Sequence, residues 1–280
     1  TRYWRDWSSD VCSSDLNGSL ELEAFRMAID FINNETAILP STELVPIINK
    51  TDFTNAFDNV MAAYWQIYHG AIALVGPLTS DSVKAAQIIC SGFRIPQIAP
   101  YATEASFSFS PSTYPFLVRM SASDTLENRV LADLVTYFNW SRMAIITSRS
   151  DYGLNGLVVF KDIASHNRWD VVAVESFQGY ENVSKINATT QLRHIRGRGA
   201  RVVILHCIAP YIPVVLQQAG NLGMLKHWVW IVDNGAFSFN GIYNSNSDVP
   251  EYMQGLIGIR HAFGEGELVD ILKKLWIEAG

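Results

Sequence analysis

Hydroxyl-bearing side chains follow two short apolar runs in this 280-residue sequence. The run 71–75 leads into Gly76-Pro-Leu-Thr79-Ser80, and the run 95–98 leads into Ala99-Pro-Tyr-Ala-Thr103. Ser80 also stands at the predicted start of a helix, where free backbone N–H groups favour an anion such as a carboxylate. The three hydroxyls therefore predict an anion-binding site.

Acidic and aromatic side chains stand near the ends of later runs. Tyr152 follows the run 143–147, Asp233 follows the run 229–232, and Asp124 precedes a predicted helix. Carboxylates hold a cation by charge-assisted hydrogen bonds of roughly 1.5 to 3 kcal/mol each, and an aromatic ring adds cation–π attraction. If the runs are parallel strands, their carboxyl ends meet at one cleft. A hydroxyl-lined anion site that faces an acidic, aromatic cation site is the chemistry that recognises an amino acid.

Each of these residues also has a purely structural interpretation. Ser80 is a suitable helix N-cap, and Asp124 opens Asp-Thr-Leu-Glu127, which resembles a capping box. Tyr152-Gly153 suits a plain loop corner, and Asp233-Asn-Gly suits a turn. The residues alone leave both interpretations open.

The elements that would position these side chains alternate along the chain. Predicted strands cover 71–75, 95–98, 143–147, 171–175, 202–207 and 229–232. Predicted helices cover 25–32, 56–68, 80–93, 125–138, 155–166, 189–196, 211–222 and 268–278. Strands that alternate with helices predict an α/β fold with parallel sheets covered on both faces. A break rich in Ser, Pro and aromatic residues at 106–120 favours two sheets over one.

Composition and motifs exclude several classes of protein. Hydrophobic residues make up 49% and charged residues 17% of the chain, which is typical of a folded globular protein, and the net charge of -6 gives no reason to expect nucleic-acid binding. No apolar window is long enough to span a bilayer. The common nucleotide, esterase, zincin and dinucleotide motifs are missing, and the scattered histidines are interpreted as structural. We therefore predict a protein that is not an enzyme and needs no metal or cofactor.

Six Asn-x-Ser/Thr triplets, where roughly two or three would arise by chance, favour a secreted or extracellular domain. One lies at Asn17, and the predicted glycosylation sites are Asn34, Asn49, Asn139, Asn182 and Asn187. The three cysteines allow at most one intramolecular disulfide.

The first residues are expected to stand outside the fold. Residues 6–16, DWSSDVCSSDL, resemble the in-frame translation of a sequencing adapter, so 1–16 are interpreted as an artefact. The chain is accordingly expected to be a fragment.

Five segments resemble the ligand-binding region shared by metabotropic glutamate receptors, other class C receptors, natriuretic-peptide receptors and ionotropic glutamate receptor amino-terminal domains. They are 76–83, 94–99, 121–127, 137–140 and 151–156, within a match over about 20–278. The resemblance implies a two-lobed clamshell related to type 1 periplasmic binding proteins. Lobe 1 would cover 17–122, lobe 2 would cover 123–254, and 255–280 would return to lobe 1. The first strand and the C-terminal part of lobe 1 are expected to be missing.

The resemblance also implies roles for individual residues. Ser80 and Ala102-Thr103 would bind the α-carboxylate of an amino acid, while Tyr101 stands where the family usually has a serine. The ligand ammonium would be bound by Asp124, Tyr152 and Asp233. A basic residue that would select a second acidic group is not identifiable, which leaves glutamate itself open as the ligand.

The function that follows from the resemblance is signalling by ligand binding. The chain is expected to be the extracellular ligand-binding domain of a membrane receptor, which closes on an amino-acid-like molecule and dimerises through lobe 1, with its membrane domain outside this sequence. Two alternatives stay open: a soluble solute-binding protein of an amino-acid transport system, and a non-sensing amino-terminal assembly domain of an ionotropic glutamate receptor.

Overall fold

A computed structural model describes residues 7–10, 20–35, 37–233, 249–259 and 264–278. They belong to two units, each with its own five-stranded parallel sheet. Unit 1 comprises Thr1–Ala102, Ser110–Ser121 and Ala262–Gly280, and unit 2 comprises Thr103–Phe109 and Ala122–His261. The chain is therefore α/β with parallel sheets, as predicted.

Unit 1 has a sheet in the order β2-β1-β3-β4-β5. Its strands are β1 (Trp7–Asp10), β2 (Pro46–Asn49), β3 (Ala73–Val75), β4 (Gln97–Ala99) and β5 (Leu117–Arg119). Its helices are α1 (Leu20–Asn34), α2 (Ala56–Tyr68), α3 (Ser80–Phe93) and α9 (Glu267–Glu278). Helices α2 and α3 have the predicted bounds, and they pack with β3 around Ala63, Leu74, Ala86 and Cys90.

The position of β1 contradicts the expectation that the first strand is missing. Trp7 is in register with Pro46 on one side and with Ala73 on the other, so β1 completes the middle of the sheet. Backbone hydrogen bonds between strands do not depend on side-chain type, so a segment without an apolar pattern pairs here. That residues 1–16 derive from an adapter stays a prediction.

Unit 2 has a sheet in the order β10-β9-β8-β6-β7. Its strands are β6 (Arg142–Ser148), β7 (Asp170–Phe177), β8 (Val202–His206), β9 (Val229–Val232) and β10 (Ile257–Gly258). Its helices are α4 (Ser106–Phe109), α5 (Asp124–Tyr137), α6 (Asp151–His166), α7 (Thr189–Gly197) and α8 (Ile212–Asn221).

Strand β2 was also not predicted, and two later segments differ from the predicted organisation. Ile257 pairs with Ile231 in the second sheet, so the expected return to lobe 1 at Gly255 comes too early. The break at 106–120 contains α4 in unit 2 and β5 in unit 1. Both missed strands are two or three residues long, too short to produce a periodic apolar pattern.

The core of unit 2 holds the sheet and two helices in fixed positions. Leu131 and Val135 of α5 and Phe160 of α6 pack against Met143 and Ile145 of β6. Because β6, β8 and β9 are parallel neighbours, their carboxyl ends lie along one edge of the sheet. The residues that end or follow these strands are therefore neighbours.

No helix within the described ranges is both long enough and apolar enough to cross a bilayer.

Candidate functional site

Six ionisable or phenolic side chains are buried at the carboxyl edge of the second sheet. We call them the buried polar cluster: Glu104, Asp124, Glu127, Tyr152, His206 and Asp233. All six belong to unit 2. Buried charged groups are costly unless they are paired, so a concentration of them in one place indicates a functional site.

The helix starts bring two of these residues to the sheet edge. Ser123 is the N-cap of α5 and its side chain accepts a hydrogen bond from the Thr125 N–H, which leaves Asp124 as the first helical residue. Ser150 is the N-cap of α6 and accepts from the Gly153 N–H. The interpretations of Asp124 as a cap and of Tyr152 as a loop corner are therefore wrong.

Tyr152, His206 and Asp233 form a hydrogen-bonded triad. The Tyr152 hydroxyl donates to Asp233 Oδ2 at 2.6 Å, and His206 Nδ1 lies 2.8 Å from the same oxygen. The two rings are stacked with centroids 4.6 Å apart. Asp233 thus anchors a phenol and an imidazole from two other elements.

Gly156 in α6 makes room for the imidazole. A Cβ atom at this position would stand 2.0 Å from His206 Nε2, far inside van der Waals contact. Within the described part of the chain Nε2 has no hydrogen-bond partner. The ring is therefore held by its Nδ1 bond, by Tyr152 and by the bare helix backbone.

The charge of the imidazole is stabilised by its neighbours. Burial lowers the pKa of His206 most strongly, but the charge of Asp233, the hydrogen bond to it and the charges of Asp124 and Glu127 outweigh burial. Together they raise the pKa from 6.5 to about 9. At neutral pH the His206 imidazole therefore carries a positive charge beside Asp233.

Asp124 has no ion pair with the described residues. Its side chain is completely buried, and among the described residues neither carboxylate oxygen has a hydrogen bond of standard geometry. Burial is the largest influence and raises the pKa from 3.8 to about 6, although His206 and the nearby Thr103 hydroxyl lower it. The charges of Asp233 and Glu104 add to the increase.

The raised pKa of Asp124 costs stability at neutral pH. Because the pKa in the folded state lies above 3.8, protonation favours folding, and this contribution is lost as the pH rises through about 6. The ionised carboxylate then lowers the free energy of unfolding by about 3 kcal/mol. A bound cation would recover that cost.

The residues predicted to bind a carboxylate are divided between the units. Ser80 and Ala102 are buried in unit 1, and Thr103 is buried in unit 2, where its carbonyl accepts a hydrogen bond from the Asp124 N–H at 2.8 Å. Thr79, not Ser80, is the N-cap of α3. Within the described ranges the Ser80 hydroxyl has no hydrogen-bond partner. The interpretation of Ser80 as a simple cap is therefore wrong.

Sequence reasoning missed three members of the cluster. His206 was interpreted as structural, yet it ends β8 and so satisfies the strand-end rule that selected Asp233. Glu104 accepts hydrogen bonds from Ser106 and, at 3.0 Å, from Asn155. Glu127 lies one helical turn after Asp124. Their roles depend on contacts between elements, and the spacing of residues along the sequence does not predict those contacts.

The remaining predicted sites are placed as follows. Asn34, Asn139, Asn182 and Asn187 are exposed, and Asn49 is partly buried at the end of β2. Glycosylation of these residues stays a prediction.

The turn predicted after Asp233 lies outside the described residues. Cys90 and Cys207 are buried and form no disulfide with another described residue. In the part of the chain that the structure describes, no group of three or more His, Cys, Asp or Glu could hold a metal ion.

Replacing Gly156 by alanine should disrupt the triad. The new Cβ would force His206 away from Asp233, and we expect the free energy of unfolding to fall by about 1 to 3 kcal/mol. The control is Gly197→Ala in α7, where no heavy atom lies within 4 Å of the added Cβ. That variant should be as stable as the wild type or up to about 1 kcal/mol more stable. Urea unfolding measures both; equal stabilities would contradict the described packing.

The His206 pKa should depend on Asp233. NMR titration of the imidazole should give a pKa near 9 in the wild type. In Asp233→Asn it should fall below the ordinary 6.5, because burial is then the strongest remaining influence. Asp170→Asn, which removes the exposed partner of Arg142, is the control and should leave the His206 pKa unchanged. A wild-type pKa of 6.5 or lower would disprove the ion pair.

Comparison with known proteins gives relatives among receptors. Residues 20–278 match the profile of the receptor family ligand binding region. Glutamate receptor 3.1 of Oryza sativa subsp. japonica is 27% identical over 93% of this chain and 28% of its own length. Glutamate receptor 3.7 of Arabidopsis thaliana is 22% identical over 86% of this chain and 26% of its own length.

A third relative is named as a metabotropic glutamate receptor-like protein. The metabotropic glutamate receptor-like protein E of Dictyostelium discoideum is 26% identical over 74% of this chain and 26% of its own length. The chain thus spans about a quarter of the length of these curated relatives.

The family match covers nearly the whole chain, and the parallel α/β sheets agree with the type 1 periplasmic-binding-protein-like fold of that family. The resemblance seen in the sequence is confirmed: this chain belongs to the receptor family ligand binding region, as a ligand-binding domain of glutamate-receptor-like proteins.

Proposed function

We propose that this chain is the extracellular ligand-binding domain of a membrane signalling receptor and that it binds an amino acid or a close analogue. The observation that carries the proposal is the buried carboxylate of Asp124 within the buried polar cluster, whose oxygens have no hydrogen bond of standard geometry from the described residues. A buried carboxylate with a raised pKa is typical of a site that binds a charged ligand. A primary ammonium supplies both the missing charge and hydrogen-bond donors.

The other half of the ligand would bind to hydroxyl and backbone groups. Ser80 lies at the start of a fourteen-residue helix, where the helix dipole favours a carboxylate, and its hydroxyl has no hydrogen-bond partner among the described residues. Ala102 and Thr103 are proposed to contribute to the same carboxylate. With Asp124, Tyr152 and Asp233 at the ammonium, these residues describe an amino-acid site.

Binding of this kind would be read out as a conformational change. If residues of both units hold one ligand, the ligand favours the closed arrangement by its differential affinity for the two states. Relatives named as glutamate receptors and as a metabotropic glutamate receptor-like protein support a signalling role. The membrane and output domains would lie outside this sequence. The account invokes no catalytic step.

Ser80→Ala tests the carboxylate half of the site. The free protein should keep its stability, because the hydroxyl has no partner among the described residues, but affinity for the amino acid should fall about tenfold. The readout is a thermal shift with the standard L-amino acids, where a ligand at 100 times its Kd stabilises the folded state by about 2.7 kcal/mol.

Ser82→Ala in the same helix is the matched control. Ser82 is buried too, but its hydroxyl receives a bond from Thr79 at 2.9 Å and donates to the Phe53 carbonyl. Its loss should lower stability and leave affinity unchanged. Equal ligand affinities in the wild type and Ser80→Ala would contradict the proposed carboxylate site.

One observation favours an assembly role beside ligand binding. Helix α2 buries small and polar residues and exposes large apolar ones. We call the exposed side the α2 face: Phe57, Met61, Tyr64, Trp65 and Tyr68. An exposed apolar patch of this kind marks an interaction site. The α2 face is thus proposed as the dimer surface of unit 1.

Tyr68→Glu tests the α2 face. Placing a charge there should weaken self-association at least tenfold, since a buried charge without a partner is costly in an interface. Tyr68 is 75% exposed, and Tyr137 on α5 of unit 2, at 82%, provides the control Tyr137→Glu. Sedimentation equilibrium compares the dissociation constants. A dimer equally strong in the wild type and Tyr68→Glu, or a monomeric wild type, would overturn self-association through this face.

A further inference from the structure

We propose that the amino edge of the second sheet, where its parallel strands begin, binds a linear anionic polysaccharide. Exposed cations lie at or beside this edge, and we call them the basic edge: Arg142, Arg196, Arg198, Arg201 and Lys226. The inference rests on the extracellular location in the proposed function. It goes beyond the proposed amino-acid site, because the buried polar cluster lies at the opposite edge of the same sheet.

The path of the chain brings these cations together. Arg142 is the first residue of β6, and Arg201 directly precedes β8, which is the neighbour of β6 in the sheet. Arg142 Nη2 donates to the Arg198 carbonyl at 3.2 Å. The Val229 N–H, at the start of β9, donates to the Arg201 carbonyl at 2.8 Å. The basic edge therefore extends across the starts of three neighbouring strands.

Two of the arginines are held by neutral groups. Arg196 Nη1 donates to the Leu222 carbonyl at 2.8 Å. The Arg201 guanidinium carbon lies 4.6 Å from the centre of the Trp228 ring, which is a cation–π contact. These contacts orient the guanidinium groups but do not cancel their charge.

Arg198 contacts an imidazole and not a carboxylate. Its Nε donates to His194 Nε2 at 3.0 Å. Because a guanidinium only donates, Nε2 must accept, and the ring proton is then on Nδ1, which contacts Glu175. Glu175 is thus bonded to the imidazole, and the guanidinium of Arg198 keeps its positive charge at the surface.

Acidic groups compensate the basic edge only in part. Arg142 forms an ion pair with Asp170 at 2.8 Å, but both side chains are more than half exposed, and ion pairs in such positions are weak. The other four cations form no ion pair with any residue that the structure describes. The chain as a whole has a net charge of -6, so this surface is opposite in sign to the rest of the protein. Charge complementarity therefore selects an anionic partner.

Helix-dipole attraction explains only part of this arrangement. Arg196 lies in the last turn of α7, where a cation is favourable. Arg201 and Lys226 lie outside the helices and strands. Their positions next to the strand starts call for another explanation, and an anionic partner provides one.

The spacing of the cations favours a polymer over a small anion. Neighbouring strands are about 4.8 Å apart, so the strand starts place positive charges at intervals along a row. A guanidinium binds a carboxylate or sulfate group through two parallel hydrogen bonds. A polysaccharide with such groups on successive sugars contacts several of the cations at once, and linked contacts increase the affinity.

Two other anionic partners fit less well. Membrane-surface segments combine cations with apolar side chains that enter the lipid, and the basic edge has no apolar member. Single-stranded nucleic acids are bound with aromatic rings that stack on the bases, but the guanidinium of Arg201 already lies over the Trp228 ring. An extracellular domain is in contact with the polysaccharides of its cell surface, which makes them the partner that we propose.

Removing three of the cations together should weaken the binding strongly. The triple variant Arg198→Gln/Arg201→Gln/Lys226→Gln should bind heparin or polygalacturonate at least about tenfold more weakly than the wild type at low salt. Each contact with a flexible polyanion contributes about 0.7 to the slope of log affinity against log salt concentration, so the slope should become shallower by about 2. A purely structural role of these residues would not change the salt dependence.

The matched control removes three exposed cations of unit 2 that do not belong to the basic edge. It is the triple variant Arg129→Gln/Arg149→Gln/Lys185→Gln. Arg149 directly follows β6 and so stands at the opposite end of the strand that Arg142 begins. Because both triple variants change the net charge equally, the control should keep the affinity and the salt slope of the wild type.

The experiment is titration calorimetry on the 280-residue chain and both triple variants, secreted from a eukaryotic host so that any N-glycans are in place. The probes are heparin, polygalacturonate and uncharged dextran. Phosphatidylserine vesicles and single-stranded DNA represent the two other partners. Thermal unfolding of the free proteins checks that the variants fold, and a thermal shift with the standard L-amino acids reports on the amino-acid site separately.

The outcomes decide the proposal as follows. Binding of heparin or polygalacturonate by the wild type and the control, with the expected loss in the basic-edge variant, supports it. No binding of either polysaccharide, equal losses in the two triple variants, or tighter binding of vesicles or DNA than of the polysaccharides overturns it. An amino-acid thermal shift that persists in such a case leaves the proposed function standing, and its absence counts against the amino-acid site alone.

Discussion

The hydrogen bond between His206 and Asp233 is the interaction on which the candidate site depends. It joins the ends of two neighbouring strands, and the Tyr152 hydroxyl connects α6 to the same oxygen. Four buried carboxyl groups would repel one another strongly without a cation among them. The positive charge of His206 offsets this repulsion and makes their burial less costly. The cluster therefore concentrates acidic groups at the carboxyl edge of the second sheet.

The packing of unit 2 positions the elements that make this hydrogen bond. The core of Leu131, Phe160 and Met143 holds α5 and α6 against the sheet, so the first turns of both helices stand at its carboxyl edge. Gly156 allows the helix backbone to approach the imidazole closely. The site therefore lies on rigid elements. The packing of these elements offsets the cost of burying Asp124, which is about 3 kcal/mol at neutral pH.

The sequence predicted the fold well where elements are long and periodic. Helices such as α2 and α3 have the expected bounds, because their apolar spacing and the Gly-Pro before α3 are local signals. The short strands β5 and β10 and the polar strand β1 were missed, since pairing with neighbouring strands determines them. The helix α6 begins earlier than expected because the Ser150 cap outweighs the turn propensity of Tyr152-Gly153.

The candidate site was predictable only in part. Asp124, Tyr152 and Asp233 were identified from strand-end position and resemblance, and unit 2 brings them together. His206 was not identified, because nothing in the spacing of the histidines indicates a partner 27 residues away at the next strand end. The distinction between a paired and an unpaired aspartate follows from three-dimensional contacts alone.

The measurement that tests this account most directly is a crystal structure of the domain with a bound amino acid. The account predicts that the ligand ammonium lies within hydrogen-bond distance of the Asp124 carboxylate, with the His206–Asp233 pair intact. A ligand bound away from Asp124, Tyr152 and Asp233 would contradict it.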